Sequence, residues 1–322
     1  MDDLTPNKVR KLSADDLEIP QGSVRRFSTE LSSEPPPSDE AINANDPFLI
    51  QVLDALDMGF AGAILVGPPG TGKSWYAKRI ASHIANGDPT AVCFVQFHPS
   101  YQYEDFMVGF TPNSVGAFEP ALRIFPSLCS QAETSPEVTH VLVIDEISRC
   151  DAARIFGEAL TYIETDKRGL PFTLASGIIM HVPSNLVILA TMNPWDKGVD
   201  AVDIAFERRF AQIDLPPDPE QLRRLLAEEG ADVDLIERVL RFFELLLAQP
   251  DETLRLGHAY FLTCTNLDRA QRTWKFRIKP FLERSCRLDP ATFDSLQRAW
   301  TSEIGLLISS PQNPDESDRA AP

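Results

Sequence analysis

The stretch GPPGTGKS, residues 67–74, constrains the fold of this chain more tightly than any other. It follows an apolar run, GAILVG at 62–67, and opens a helical pattern, WYAKRIASHIA at 75–85. Closely spaced glycines let successive backbone N–H groups turn inward on one point. The helix that follows adds partial positive charge there, so the segment is built to cradle phosphates. The spacing predicts nucleotide contacts from Gly67, Pro68, Pro69, Gly70, Thr71, Gly72, Lys73, Ser74 and Trp75. Among these, Lys73 is placed to reach the β- and γ-phosphates, and Ser74 to ligate Mg²⁺.

A phosphate cradle between strand and helix needs a sheet to carry it, and the chain supplies one. GAILVG (62–67), AVCFVQF (91–97), HVLVIDE (140–146), NLVILATMN (185–193) and AQIDL (211–215) read as strands. They are mostly continuously apolar, as parallel strands covered on both faces must be. Helical segments separate them, which predicts an α/β fold with a parallel sheet over 47–216. TLASGIIMHVP reads as a short hairpin turning at Ser176 and Gly177. GFTPNSVGAFEPALRIFP, at 109–126, reads as a Gly/Pro-rich turn flanked by aromatics. Prolines 216, 217 and 219 mark a boundary, after which i, i+3, i+4 apolar spacing predicts a C-terminal helical domain over 217–308.

The ends differ in character. Residues 1–46 include SSEPPPSDE, a proline- and acid-rich signature that reads as a flexible tail, and 309–322 read as a second one. The 322-residue chain has a formal net charge of −17, and its middle remains acidic when these ends are set aside. Such a body repels phosphate backbones over most of its surface. Nucleic-acid contact is therefore confined to a local basic patch, and DNA binding by the chain alone is not expected. Five cysteines with no CxxC pair read as buried free thiols, not as a disulfide framework or a zinc site. No apolar run reaches the ~18 residues of a membrane span and no signal-peptide core opens the chain, so a cytoplasmic protein is expected.

Three further groups complete the chemistry. VLVIDEIS, at 141–148, ends an apolar strand on two carboxylates. Beside a phosphate cradle, Asp145 is expected to hold Mg²⁺ and Glu146 to polarise the attacking water. Without it, the pair reads as a helix cap. Asn193 ends the next strand as a neutral group suited to contact both γ-phosphate and water, and Asn193-Pro194 also reads as an Asx turn. Arg208 and Arg209 follow about one helix later, a position suited to a neighbouring subunit's nucleotide as an arginine finger. Adjacent arginines also form surface salt bridges, and spacing does not decide which of the two is structural.

With these elements in order, the chain resembles AAA+ nucleoside triphosphatases of the McrB/dynein-related, MoxR-like branch. The resemblance covers roughly residues 47–285. It is carried by VQFHPSYQYEDFMVGFTP (95–112), DEISR at 145–149, FGEALTYIETDKRG (156–169), VPSNLVILATMNPWDKGVDAVDIAFERRF (182–210) and RLGHAYF (255–261). It implies a ring, hexameric in the family, with nucleotide between subunits. Asn193 takes the sensor-1 role, and the Arg208/Arg209 pair the trans finger. It implies a pore-facing insertion at 109–126 and a lid return to the nucleotide at Arg255 and His258. It further implies a motor of a McrBC-like restriction or defence complex, working with a McrC-like partner that carries the nuclease. A MoxR-like protein-remodelling ATPase without nucleic acid is the alternative. MNPWDKG, with Lys197, stands where this branch reads MNTADRS; Ser148 and Ala259 replace an asparagine and a serine. These departures leave the hydrolytic residues intact and lend no support to a guanine preference; ATP, the commoner AAA+ fuel, is the expected nucleotide, with GTP as the alternative.

Overall fold

The structure, a computed structural model, describes residues 41–112, 117–195 and 204–305. The tail readings for 1–40 and 309–322, and the Asp196-Lys197 part of MNPWDKG, lie outside these residues. In chain order the strands are β1 (Gly62–Val66), β2 (Val92–Gln96), β3 (Val108–Pro112), β4 (Phe118–Leu122) and β5 (His140–Asp145). They continue with β6 (Phe172–Thr173), β7 (Ile179–Met180), β8 (Leu186–Met192) and β9 (Phe210–Asp214). Five of them form one parallel sheet in the order β2-β5-β8-β1-β9. Each of the five lies within a residue of its predicted run.

Burial explains why these runs lack alternation. Every residue of β1 is buried, because both sheet faces are covered. Ile64 and Val66 enter one apolar cluster with Leu142, Ile144 and Ala190. Ala63 and Leu65 enter another with Val141, Val143 and Leu189, beneath the helices Pro47–Asp57 and Lys73–Ile84. Asp46 caps the first of these helices, its carboxylate accepting from the Phe48 and Leu49 amides. The strand order matters most for function. β8 lies between β1 and β5, so the ends of these three strands, followed by Gly67, Asn193 and Glu146, come together along one edge.

Two antiparallel hairpins flank the sheet. β6 and β7 pair through Phe172 and Met180, with Gly177 at φ 84°, as the sequence predicts. β3 and β4 pair from Val108–Leu122 to Pro112–Phe118, where the sequence suggests only a turn. Its prolines concealed the strands. In a two-stranded ribbon each strand keeps a free edge, and a missing N–H is tolerated there.

A separate apolar cluster fills the helical region after β9. Leu222, Val239, Phe243, Phe261, Leu282 and Trp300 belong to it. It joins helices Pro219–Glu228, Val233–Leu247, Leu267–Thr273, Lys279–Ser285 and Pro290–Ile304.

Candidate nucleotide site

A cleft of about 810 Å³ opens between the sheet edge and the helical region. Pro69, Gly70, Gly72, Lys73, Ser74 and Trp75 line one wall, with Glu146, Arg149 and Asn193 beside them. Tyr260, Phe281 and Arg284 face them from the helical side. Gly67, Pro68 and Thr71 do not line the cleft; they build the loop behind it. A Cβ on Gly67 would lie 2.3 Å from the Leu215 carbonyl oxygen, and the Thr71 hydroxyl donates to the Pro68 carbonyl at 3.1 Å. Gly70 and Gly72 take φ values of 83° and 86°, the left-handed turn that aims amides inward. Lys73 is buried, its ammonium donating to the Gly67 and Pro68 carbonyls at 2.9 and 2.8 Å.

The carboxylates form a network with the loop. The Ser74 hydroxyl donates to Asp145 Oδ1 at 2.7 Å, which joins the two residues predicted to hold the metal. The Thr191 hydroxyl donates to the same oxygen at 2.6 Å and accepts from the Glu146 amide at 3.0 Å. Glu146 is one of two non-glycine residues with positive φ among the described residues, at φ 58°. That conformation ordinarily costs about 1–2 kcal/mol and clusters at functional sites. It turns the Glu146 side chain out of the strand direction into the cleft, where its Oε2 lies 3.4 Å from Arg149 Nε. Asn193 is buried at the cleft wall, and its Oδ1 accepts from the Trp195 amide at 3.2 Å. Asn193 thus forms the Asx turn and faces the cleft.

The helical region is fastened directly to the phosphate loop. The Gly257 amide donates to the Pro69 carbonyl at 2.9 Å and the Ala259 amide to Gly70 at 3.0 Å. A Cβ at Gly257 would lie 2.0 Å from the Gly70 carbonyl carbon, so this approach needs glycine. His258 is buried beside Gly72, and burial lowers its imidazole below the ordinary value while Asp218 opposes the shift. Arg255 pairs with Glu252 at 2.8 Å and does not line the cleft, contrary to the family-based reading. Arg284 lines it instead.

Arg208 and Arg209 lie elsewhere. The Arg209 carbonyl accepts from the Ala61 amide, and Phe210 pairs with Gly62, so the pair sits at the start of β1. The phosphate loop leaves the other end of that strand, about 16 Å away at ~3.3 Å per residue. The two arginines also differ. Arg209 is buried and meets Glu164 at 2.7 Å, whereas the Arg208 side chain is 65% exposed and only 3.5 Å from the same carboxylate. Of the pair, whose structural member spacing leaves open, Arg209 is the one built into the fold.

Sequence reasoning missed Thr191, Arg149, Tyr260 and Arg284. Thr191 reads as one more residue in an apolar strand. The other three reach the cleft only through tertiary packing. Among the described residues, no group of three or more His, Cys, Asp or Glu is arranged as a metal cluster. The hydroxyl of Ser74 and the carboxylate of Asp145 are the hard-oxygen pair that could hold a divalent ion here.

Residues 62–210 match the AAA domain of the dynein-related subfamily. That match takes in 149 of the 322 residues. It runs from the first residue of β1 to the first of β9, and so takes in the phosphate loop, both carboxylates, Asn193 and the arginine pair. The chain is 37% identical over 266 residues to the McrB subunit of a type IV methyl-directed restriction enzyme of Escherichia coli K12. That match covers 75% of this chain and 56% of the relative. It is 29% identical over 188 residues to the YdiS component of the type II restriction enzyme BsuMI of Bacillus subtilis 168, covering 46% of this chain and 55% of that protein. The chain thus spans just over half the length of the curated relatives it matches. Among the described residues, no helix is long and apolar enough to cross a membrane.

Proposed function

We propose that the chain is a nucleotide-hydrolysing subunit of a McrB-like restriction assembly, with each active site shared between neighbouring copies in a ring. One observation carries this reading. The phosphate loop and the exposed Arg208 lie at opposite ends of β1, so a site that uses both needs two copies of the chain. Lys73, Ser74 and the loop amides bind the triphosphate, and Ser74 and Asp145 hold Mg²⁺. The hard oxygens of these two residues, already 2.7 Å apart, suit that ion. When bound, Mg²⁺ supplies charge neutralisation on the β- and γ-phosphates. Glu146 accepts the proton of the attacking water, Asn193 orients that water against the γ-phosphate, and Arg208 of the next subunit neutralises the charge that develops there. ATP is the favoured nucleotide and GTP the alternative. A McrC-like protein supplies the nuclease. The ring is six-membered.

Size-resolved mass measurement with ATP, GTP or neither, alongside phosphate release, tests this reading. Nucleotide is expected to drive assembly, and Glu146→Gln to assemble while losing turnover. The reading is falsified if Glu146→Gln releases phosphate as fast as the wild type.

A further inference from the structure

The helical region carries its positive charge in two ways. On helices Pro219–Glu228 and Val233–Leu247, every arginine meets a carboxylate. Arg223 pairs with Glu237, Arg224 with Glu228 at 3.8 Å, Arg238 with Asp234 at 2.7 Å and Arg241 with Glu303 at 2.8 Å. The helical run over 267–285 is different. Residues 267–287 hold seven bases and two acids in a chain of net charge −17. The two acids are taken by Arg272, 2.9 Å from Asp268, and Lys279, 3.7 Å from Glu283. Arg269, Lys275, Arg277 and Arg287 are exposed and form no ion pair among the described residues. Arg269 and Lys275 each lie three residues from Arg272, a like-charge spacing that weakens a helix, so folding alone does not account for them.

The backbone changes at the same place. Trp274–Ile278 is a turn of π-helix, a form that concentrates at functional sites. Its inner residue, Trp274, stacks on Trp300 at 5.0 Å, which anchors the turn. Its outer residue, Phe276, is 68% exposed, with the Lys275 ammonium 5.2 Å from the ring. Beside it lies a notch of about 270 Å³, formed by Thr263 and Thr273 with Arg269, Arg272 and Arg277. Guanidinium forks match phosphate oxygens in pairs, and an exposed ring between them offers a stacking face to a base. A carboxylate-rich peptide would use the forks and leave the ring without a partner.

We propose that this face of the helical region is a nucleic-acid contact that holds a sugar–phosphate strand. It is the local basic patch to which the acidic balance of the chain confines any such contact. The choice of nucleic acid as the polyanion rests in part on the restriction-assembly reading above. Arg269, Lys275, Arg277 and Arg287 lie outside the nucleotide cleft, which Arg284 of the same run lines, so the two readings fail in different measurements.

The test uses the full chain with a non-hydrolysable triphosphate analogue, labelled single-stranded and duplex oligonucleotides, and polyglutamate as a competitor. Four cations on phosphates predict that log K falls with log salt at a slope of roughly −3 to −4. The triple variant R269E/R277E/R287E is expected to bind at least about tenfold more weakly near 100 mM salt and to flatten that slope. R224E/R241E, on the paired side, should bind as the wild type does. Phe276→Ala is expected to weaken single-strand binding about tenfold, and more than duplex binding. Phosphate release and oligomer mass, read on the same samples, should not change in the triple variant. Wild-type binding that is absent or insensitive to salt overturns the proposal. So does a triple variant that binds like the wild type, or displacement of the oligonucleotide by polyglutamate at equal charge, which would assign the face to an acidic protein. Absence of wild-type phosphate release with oligonucleotide binding intact would count against the hydrolysis reading alone.

Discussion

At the scale of single residues, one hydroxyl organises the catalytic edge. The Thr191 hydroxyl donates to Asp145 and accepts from the Glu146 amide, so it fixes the carboxylate proposed to hold the metal and the positive-φ turn of the proposed base together. Removing it leaves the part-buried Glu146 amide without that acceptor, at about 1–3 kcal/mol, and Asp145 Oδ1 with Ser74 alone. Thr191→Val is therefore expected to lower kcat by roughly tenfold or more, with a smaller change in nucleotide affinity. Thr191→Ser, which restores the hydroxyl, should recover most of the rate; a fully active valine variant would refute the role. The arginine pair divides in the same manner. Lys167, then Arg209 and Arg208, hold the Glu164 carboxyl below its ordinary range. Arg209→Ala breaks the buried contact and is expected to reduce unfolding free energy by about 1–3 kcal/mol. Arg208→Ala, at an exposed side chain, should leave stability unchanged and abolish turnover. Denaturant titration beside phosphate release separates the two.

At the scale of elements, the loop around Gly257 joins two apolar cores through the phosphate cradle. Gly257→Ala puts a methyl group against the Gly70 backbone, which cannot yield as a side chain can. The variant is expected to lose about 1–3 kcal/mol of stability and to bind nucleotide more weakly. Calorimetry and nucleotide titration measure the two effects. His258 adds a pH dependence to this seam. Its folded value is depressed, so the unfolded chain takes up the proton first. Its contribution is complete above about pH 6.5 and declines as pH falls through and below that value. The thermal midpoint should drop on mild acidification, and His258→Gln should reduce that drop. Element identity was well legible where burial on both faces imposes continuous apolar runs, as in β1 and β5. It was not legible in β3 and β4, where an exposed ribbon accepts Pro112 and Pro120 and leaves no apolar pattern.

At the scale of the whole molecule, the proposed shared site would tie hydrolysis to assembly, because the phosphate loop and Arg208 lie at opposite ends of β1. Mixing Arg208→Ala subunits with Lys73→Ala subunits supplies each with what the other lacks. Mixed rings are expected to regain part of the wild-type rate, and inert mixed rings would argue against a shared site. The sequence by itself determined the parallel sheet, the phosphate loop, the two strand-end carboxylates and Asn193. These depend on local chemistry: glycine conformation, continuous apolar runs, and charge at a strand end. Only the tertiary structure decided that β8 lies between β1 and β5, that Thr191 bridges the carboxylates, and that Arg209 is buried while Arg208 is exposed. It also decided that Arg284, not Arg255, reaches the cleft, and that Arg269 and Arg277 meet at one notch beside Phe276. Each of these depends on which distant segments the folded chain brings into contact, and spacing along the sequence does not carry that information.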